Sequence, residues 1–308
     1  MSSSPHRVLS PGRRLSVVQT LGPLRRGPGD PTVLRDGTRW WMTTRMPSGS
    51  ATLLLDQVAP DLVEASAWGP GAEERLAALE PLLGSHRPEP HFVDAHPHVA
   101  DAMRRHPGLS VPATGRVLEA LVPAVLEQKV LGVDAFAAWR RLVLAHGDPA
   151  PGPVPDRMRV LPTAERWAAL PSWEWHRAGV DPQRYRTAQR CVRVAAQLER
   201  LAAAGDLDAF YRGLRSIPGV GIWTAAEVGS RALGDADAVP FGDYHLGHLV
   251  GVGLLGRRLP VDDHAAIGEA LEPYRPERFV AVRLLQLSPH VVLERRGARM
   301  ARVDHRRL

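Results

Sequence analysis

Cysteine is nearly absent from this 308-residue chain, where Cys191 stands alone. No disulfide can form within it, and a Cys-ligated iron–sulfur cluster has too few ligands. Lysine is equally scarce. Lys129 is the only one, every other basic side chain being Arg or His, so a Schiff-base mechanism has this amine or the N-terminal one to use. Asparagine does not occur. Long apolar runs are missing too: none approaches the roughly 18 residues that a membrane-spanning helix needs. The Ser/Pro/Arg-rich start has no apolar stretch of signal-peptide length. These absences predict a cytoplasmic protein of a reducing compartment, with no membrane partner.

What is present is a globular composition, 44% hydrophobic, with a net charge of +6. That charge favours an anionic partner such as nucleic acid. The wealth of Ala, Gly, Pro and Arg also fits a GC-rich coding bias, so the charge alone decides nothing.

Residues 1–12 read as a loose tail. Four short apolar or β-branched runs follow (15–21, 39–45, 51–58 and 62–68), broken by Gly-Pro-Gly, Asp36-Gly37 and Pro47-Ser-Gly. An amphipathic pattern with Leu76, Leu79 and Leu83 predicts a helix over 72–83. Pro88, Pro90 and Pro97 mark a linker. From about residue 99 the pattern is helical, with helices predicted over 116–131, 134–145, 163–170, 182–204, 206–215, 222–233, 243–255, 262–274 and 276–287. The expected fold class is α+β: an N-terminal antiparallel sheet with a helix over 13–90, an all-α region over 91–290, and a basic C-terminal tail over 291–308.

The most telling motif is Ile217-Pro-Gly-Val-Gly221 between two predicted helices. Pro218 stops the first helix and has no N–H to donate. Gly219 and Gly221 permit positive φ and leave no Cβ in the way of an approaching phosphate. The second helix begins just after, so its N-terminal amides and dipole point to the same anion. Such a turn holds a nucleic-acid backbone without reading its sequence; the plainer alternative is an ordinary helix–helix turn. Asp243 follows 22 residues beyond Gly221 in Val239-Pro-Phe-Gly-Asp-Tyr-His. A carboxylate there either serves a sugar beside the held phosphate or caps the next helix. His91, Asp94, His96, His98 and Asp101 resemble a metal-ligand run, but they fall in the Pro-broken linker, so no metal is expected.

Residues 217–225, followed by Arg231-Ala-Leu-Gly-Asp-Ala-Asp-Ala-Val-Pro-Phe-Gly-Asp243, resemble the helix-hairpin-helix (HhH-GPD) DNA glycosylase superfamily, and within it bacterial DNA-3-methyladenine glycosylase II. Pro107-Gly-Leu-Ser-Val-Pro112, Ala124-Val-Leu-Glu-Gln128 and Tyr274-Arg-Pro-Glu-Arg278 extend the similarity over roughly 99–287.

The resemblance implies a base-excision repair glycosylase acting on double-stranded DNA with a damaged base, an alkylated purine first of all. It implies a helix-hairpin-helix catalytic domain, nucleoid association and a monomer. Asp243 maps to the catalytic carboxylate. Pro218, Gly219, Val220, Gly221 and Thr224 map to backbone binding, Trp223 and Tyr244 to the base pocket, and Leu109 and Val111 to the wedge that fills the vacated stack. Members with lyase activity carry Lys where this chain has Trp223, which implies a monofunctional enzyme. Glu227 and Gln286 stand at pocket positions where alkylpurine enzymes usually carry an aromatic. No cofactor is implied, beyond a monovalent cation at the hairpin carbonyls. A glycosylase for oxidised or deaminated bases and a non-catalytic DNA-binding protein of the same fold remain alternatives.

Overall fold

The computed structural model describes residues 5–292. Its N-terminal part is a five-stranded antiparallel sheet in the order β1-β5-β4-β3-β2, formed by β1 (His6–Leu9), β2 (Val33–Asp36), β3 (Arg39–Met46), β4 (Gly49–Ala59) and β5 (Leu62–Trp68). Two-residue loops, Gly37-Thr38 and Pro47-Ser48, fix the register at Asp36↔Arg39 and Met46↔Gly49. One face alternates inward: Leu53, Leu55, Val63, Ala65 and Ala67 are buried against Leu76, Leu79, Leu82 and Leu83 of two short helices.

Several boundaries differ from the sequence expectation. His6–Leu9 is an edge strand paired with β5, so the expected tail 1–12 contains structure. The run 15–21 is not a strand but ends in the helix Val17–Leu21. The expected helix 72–83 is split into Ala72–Ala77 and Leu79–Leu83, and 182–204 into Pro182–Arg193 and Ala195–Ala203. Helix Pro97–Arg105 begins inside the expected linker, and Ser172–Ala178 is an unexpected helix. Asp206, Thr163 and Asp181 each cap a helix with a side-chain oxygen. Apart from Val291 and Val292, the expected basic tail lies outside the described residues.

The helical part buries two clusters. One gathers helix Val117–Leu126, buried except at Leu118 and Glu119, with residues of the segments 138–232; Trp167, Trp175 and Phe210 are fully buried in it. The other joins residues 99–111 to 236–291. The hairpin belongs to the first cluster and the loop before Asp243 to the second, so carboxylate and hairpin meet at the seam. Among the described residues, no helix is long and apolar enough to cross a membrane.

Candidate active site at the hairpin

Helix Leu207–Arg215 ends at a turn in which the Val220 N–H donates to Ile217 O (2.9 Å). Pro218 and Gly219 are its central residues, and Gly219 has φ of +100°, as a type II turn requires. A Cβ on Gly219 would also meet Thr187 Oγ1 at 2.3 Å. Gly221 is different. Its φ is −96° and a Cβ would meet nothing within 4 Å, so neither backbone strain nor packing explains a glycine there. The free space lies at the start of helix Ile222–Val228, where the amides of Ile222, Trp223 and Thr224 have no backbone acceptor among the described residues.

The turn is braced from behind. Gln128 Nε2 donates to Gly219 O (2.9 Å) and to Thr224 Oγ1 (2.8 Å), and Arg190 donates to Pro218 O (3.1 Å). Two expectations change here. Val220 is buried and its amide is engaged by Ile217 O, while Thr224 is buried and its hydroxyl is engaged by Gln128. Both groups therefore brace the turn, and the amides left without a backbone acceptor are those of Ile222, Trp223 and Thr224. A monovalent cation on Pro218 O or Gly219 O would have to displace the Arg190 and Gln128 donors, so these two carbonyls do not fit one.

Asp243 sits in an extended loop before helix Leu246–Leu255. Its Oδ1 accepts the His245 N–H (2.8 Å), and its Oδ2 lies 3.4 Å from Trp223 Nε1, a long contact. Trp223 is two residues past Gly221 and half-buried. The indole and the carboxylate therefore come together where the hairpin meets this loop, and Asp243 Oδ1 steadies the loop itself.

Asp237 fixes that loop. Its carboxylate receives Arg278 Nε (2.8 Å), Arg278 NH2 (2.6 Å), Arg278 N (3.1 Å) and Arg275 NH1 (3.1 Å). Asp235 accepts from Tyr211 Oη (2.5 Å). These two residues anchor the Asp243 loop to the Tyr274–Arg278 motif and to the helix before the hairpin.

Behind Trp223 lies a charge network that the sequence did not disclose. Glu227 pairs with Arg231 (2.7 Å), whose Nε reaches Pro23 O (3.4 Å). Arg231 stands in a π-helical turn, Gly229–Leu233, that widens the end of the hairpin's second helix. Glu127 lies 3.6 Å from the buried Arg26. Burial pushes the Glu127 carboxyl above its usual range, against the pull of Arg26 and Arg231. Burial pushes Arg231 down, but Glu227, Glu127 and Asp243 outweigh it and hold its pKa up. From the last helix, Arg283 faces Arg231 and Glu227; burial, then Arg231, lower it to about 10. Arg283 also donates to Gln19 O (3.4 Å). The segment 19–26, from the sheet part of the chain, is thus joined to the π-helical turn, to the last helix and to Glu127.

Other expected site residues are placed elsewhere. Leu109 and Val111, the residues expected at the wedge, are each 4% exposed and belong to the second cluster together with Val99 and Ala102 of helix Pro97–Arg105. Gln286 is exposed and accepts from Arg283 (2.6 Å), so Arg283 occupies the side of the cleft expected of Gln286. Tyr244 is 67% exposed, edge-on to His245, and lines no enclosed pocket. Lys129, expected inside a helix over 116–131, lies beyond the observed end of that helix at Leu126, exposed, with φ of +52°. His96 caps its helix, His98 meets Gly253 O (2.9 Å) and Asp101 pairs with Arg104, Arg105 and His290.

The 3-methyladenine DNA-glycosylase from Archaeoglobus fulgidus superposes with a TM-score of 0.76, at 17% identity over 91% of this chain and 97% of that one. The chain has the helix-hairpin-helix DNA glycosylase fold. The apo 8-oxoguanine glycosylase/lyase of Clostridium acetobutylicum shares it with a TM-score of 0.71, at 9% identity over 93% of this chain and 97% of that one. At such identities the likeness concerns the fold. In sequence, 157 residues (49% of the chain) are 34% identical to the "Probable bifunctional transcriptional activator/DNA repair enzyme AlkA" of Mycobacterium tuberculosis, in each of two strains. The match spans 30% of that relative's length. No protein-family model matches the chain.

Proposed function

We propose that this protein is a monofunctional DNA glycosylase of base-excision repair, releasing an alkylated purine by hydrolysis and leaving an abasic site. The supporting observation is the placement of the Asp243 carboxylate 3.4 Å from the indole N–H of Trp223, beside an open Gly221 and the amides that follow it, which have no backbone acceptor among the described residues. The hairpin amides hold a phosphate, and the nucleotide next to it is turned out of the stack toward Trp223. The C1′–N bond then breaks, the base leaves with the electron pair, and positive charge builds on the sugar. Asp243 stabilises that charge, orients the water whose oxygen bonds to C1′ and takes up the proton that this water loses. Trp223 has no amine to form an imine in the place where lyases of this fold carry Lys. Glu227 and Glu127 are each paired with an arginine, so the case for an alkylated purine rests on the sequence resemblance and not on the charge of these carboxylates.

The same network favours a second reading. Arg231, Arg26 and Arg283 offer hydrogen-bond donors beside those carboxylates, which suits a neutral oxidised or deaminated base. Single-lesion duplexes separate the two. Release of alkylpurine, with strand breakage only after alkali, is the expected result. Release confined to an oxidised or deaminated base favours the second reading, and breakage without alkali rules out monofunctional chemistry.

Gly221 offers a test of the anchor. Gly221→Val should leave the melting temperature unchanged, because a Cβ there has open space. It should weaken duplex binding by about tenfold, the cost of one charge-assisted hydrogen bond of roughly 1.5 kcal/mol. Unaltered affinity in a titration with labelled duplex would remove the hairpin from the interface.

A further inference from the structure

The solvent face of helix Pro182–Arg193 has no role in the site described so far. Arg186, Arg190 and Arg193 are exposed on it. At 100° per residue they fall within about 60° of one another, on a single stripe. The opposite face, with Thr187, Ala188, Cys191 and Val192, is buried. Packing therefore explains the buried half of this helix but not the stripe. No acidic residue occurs in the twelve-residue helix, and the Asp181 carboxylate at its start is taken up by Arg184 and two amides. Among the described residues, neither Arg186 nor Arg193 meets a carboxylate.

The stripe is joined to the hairpin. Arg190 donates to Pro218 O (3.1 Å), and Thr187 sits so close to Gly219 that a Cβ would meet its Oγ1 at 2.3 Å. The turn and the basic face are therefore one rigid surface. From Arg186 to Arg193 the helix rises about 10 Å at 1.5 Å per residue, some three nucleotide steps at 3.4 Å along one strand.

We propose that Arg186, Arg190 and Arg193 form a second contact line for the DNA backbone, extending the grip from the phosphate at the hairpin to one flank of the same duplex. Phosphate oxygens are the ligand, and the guanidinium fork suits them. This rests on the DNA-binding half of the proposed function, not on base release.

The test is duplex affinity of the full chain as a function of salt, for Arg186→Gln/Arg193→Gln beside wild type, with Arg35→Gln on the sheet as a control for bulk charge. Each lost phosphate contact lowers the slope of log K against log salt by about 0.9. The double variant should lose about 1.8 and the control nothing. Shortening the duplex from one end should weaken wild type and spare the double variant. An unchanged slope, an equal loss in the control, or equal sensitivity to shortening from both ends would overturn the proposal. If the slopes behave as expected and wild type releases no base, the glycosylase reading fails while the contact line stands.

Discussion

Asp243→Asn should lower the rate of base release by about 10²–10³-fold while leaving duplex affinity and melting temperature near wild type. The magnitude is that of removing one preorganised electrostatic group from a transition state, about 2.7–4 kcal/mol. The fold should tolerate the change because the carboxylate is held by few bonds. Asn keeps an oxygen for the His245 N–H, now at 2.8 Å from Oδ1. Its other atom faces Trp223 Nε1 across 3.4 Å, where the contact is already long and little is lost. The loop itself is clamped elsewhere, by Asp237 on Arg278 and Arg275. Single-turnover release from an alkylated duplex at saturating protein isolates the chemical step, and binding and thermal unfolding are measured alongside. Release within about threefold of wild type would show that Asp243 only steadies its loop. A large fall in melting temperature would assign the effect to folding.

How much of this was legible in the sequence depended on how local the physics is. Pro218 and Gly219 fix a type II turn within four residues, and Asp206, Thr163 and Asp181 cap their helices within three, so the hairpin and these helix starts could be read directly. The attention to Asp243 came from a motif resemblance, and the structure adds that its carboxylate lies by Trp223. The floor of the cleft could not be read that way. Arg26, Glu127 and Arg231 come from three distant stretches of chain, and only the packing of segment 19–26 against the hairpin helices brings them together. Glu127 stood in a quoted motif, beside Gln128, without any local sign of its partners.

The same reason explains the misplaced residues. Leu109 and Val111 look like loop residues until the second helical cluster closes over them. Gln286 and Arg283 lie three positions apart on one helix, about 60° around its axis, and that difference puts Gln286 in solvent and Arg283 beside Arg231 and Glu227. Val220 appeared as one more amide donor of the turn, but turn formation itself consumes its N–H.

Arg231→Met should be the most destabilising change in the cleft. The side chains of Arg231 and Glu227 are only 16% and 12% exposed, and the substitution removes their ion pair together with the bonds to Glu227 O (3.0 Å) and Pro23 O (3.4 Å). Breaking a buried pair from one side costs about 3–5 kcal/mol, because the remaining charge is left uncompensated. Adding Glu227→Leu should therefore recover a good part of that loss, since removing both partners is nearly neutral where the gap is filled. The pH dependence follows from Glu127, whose carboxyl burial already raises above its unfolded value. A raised carboxyl binds its proton more tightly in the folded state, so its contribution to stability is full below about pH 4.3 and is lost as pH rises through the folded pKa. Arg231 limits that loss by pulling the pKa back down; without it the window widens upward. The gap between variant and wild type should then be largest near pH 7 and narrow as pH falls toward 4. Urea unfolding at both pH values measures it, and a deficit that stays constant with pH would mean that Arg231 acts by packing alone.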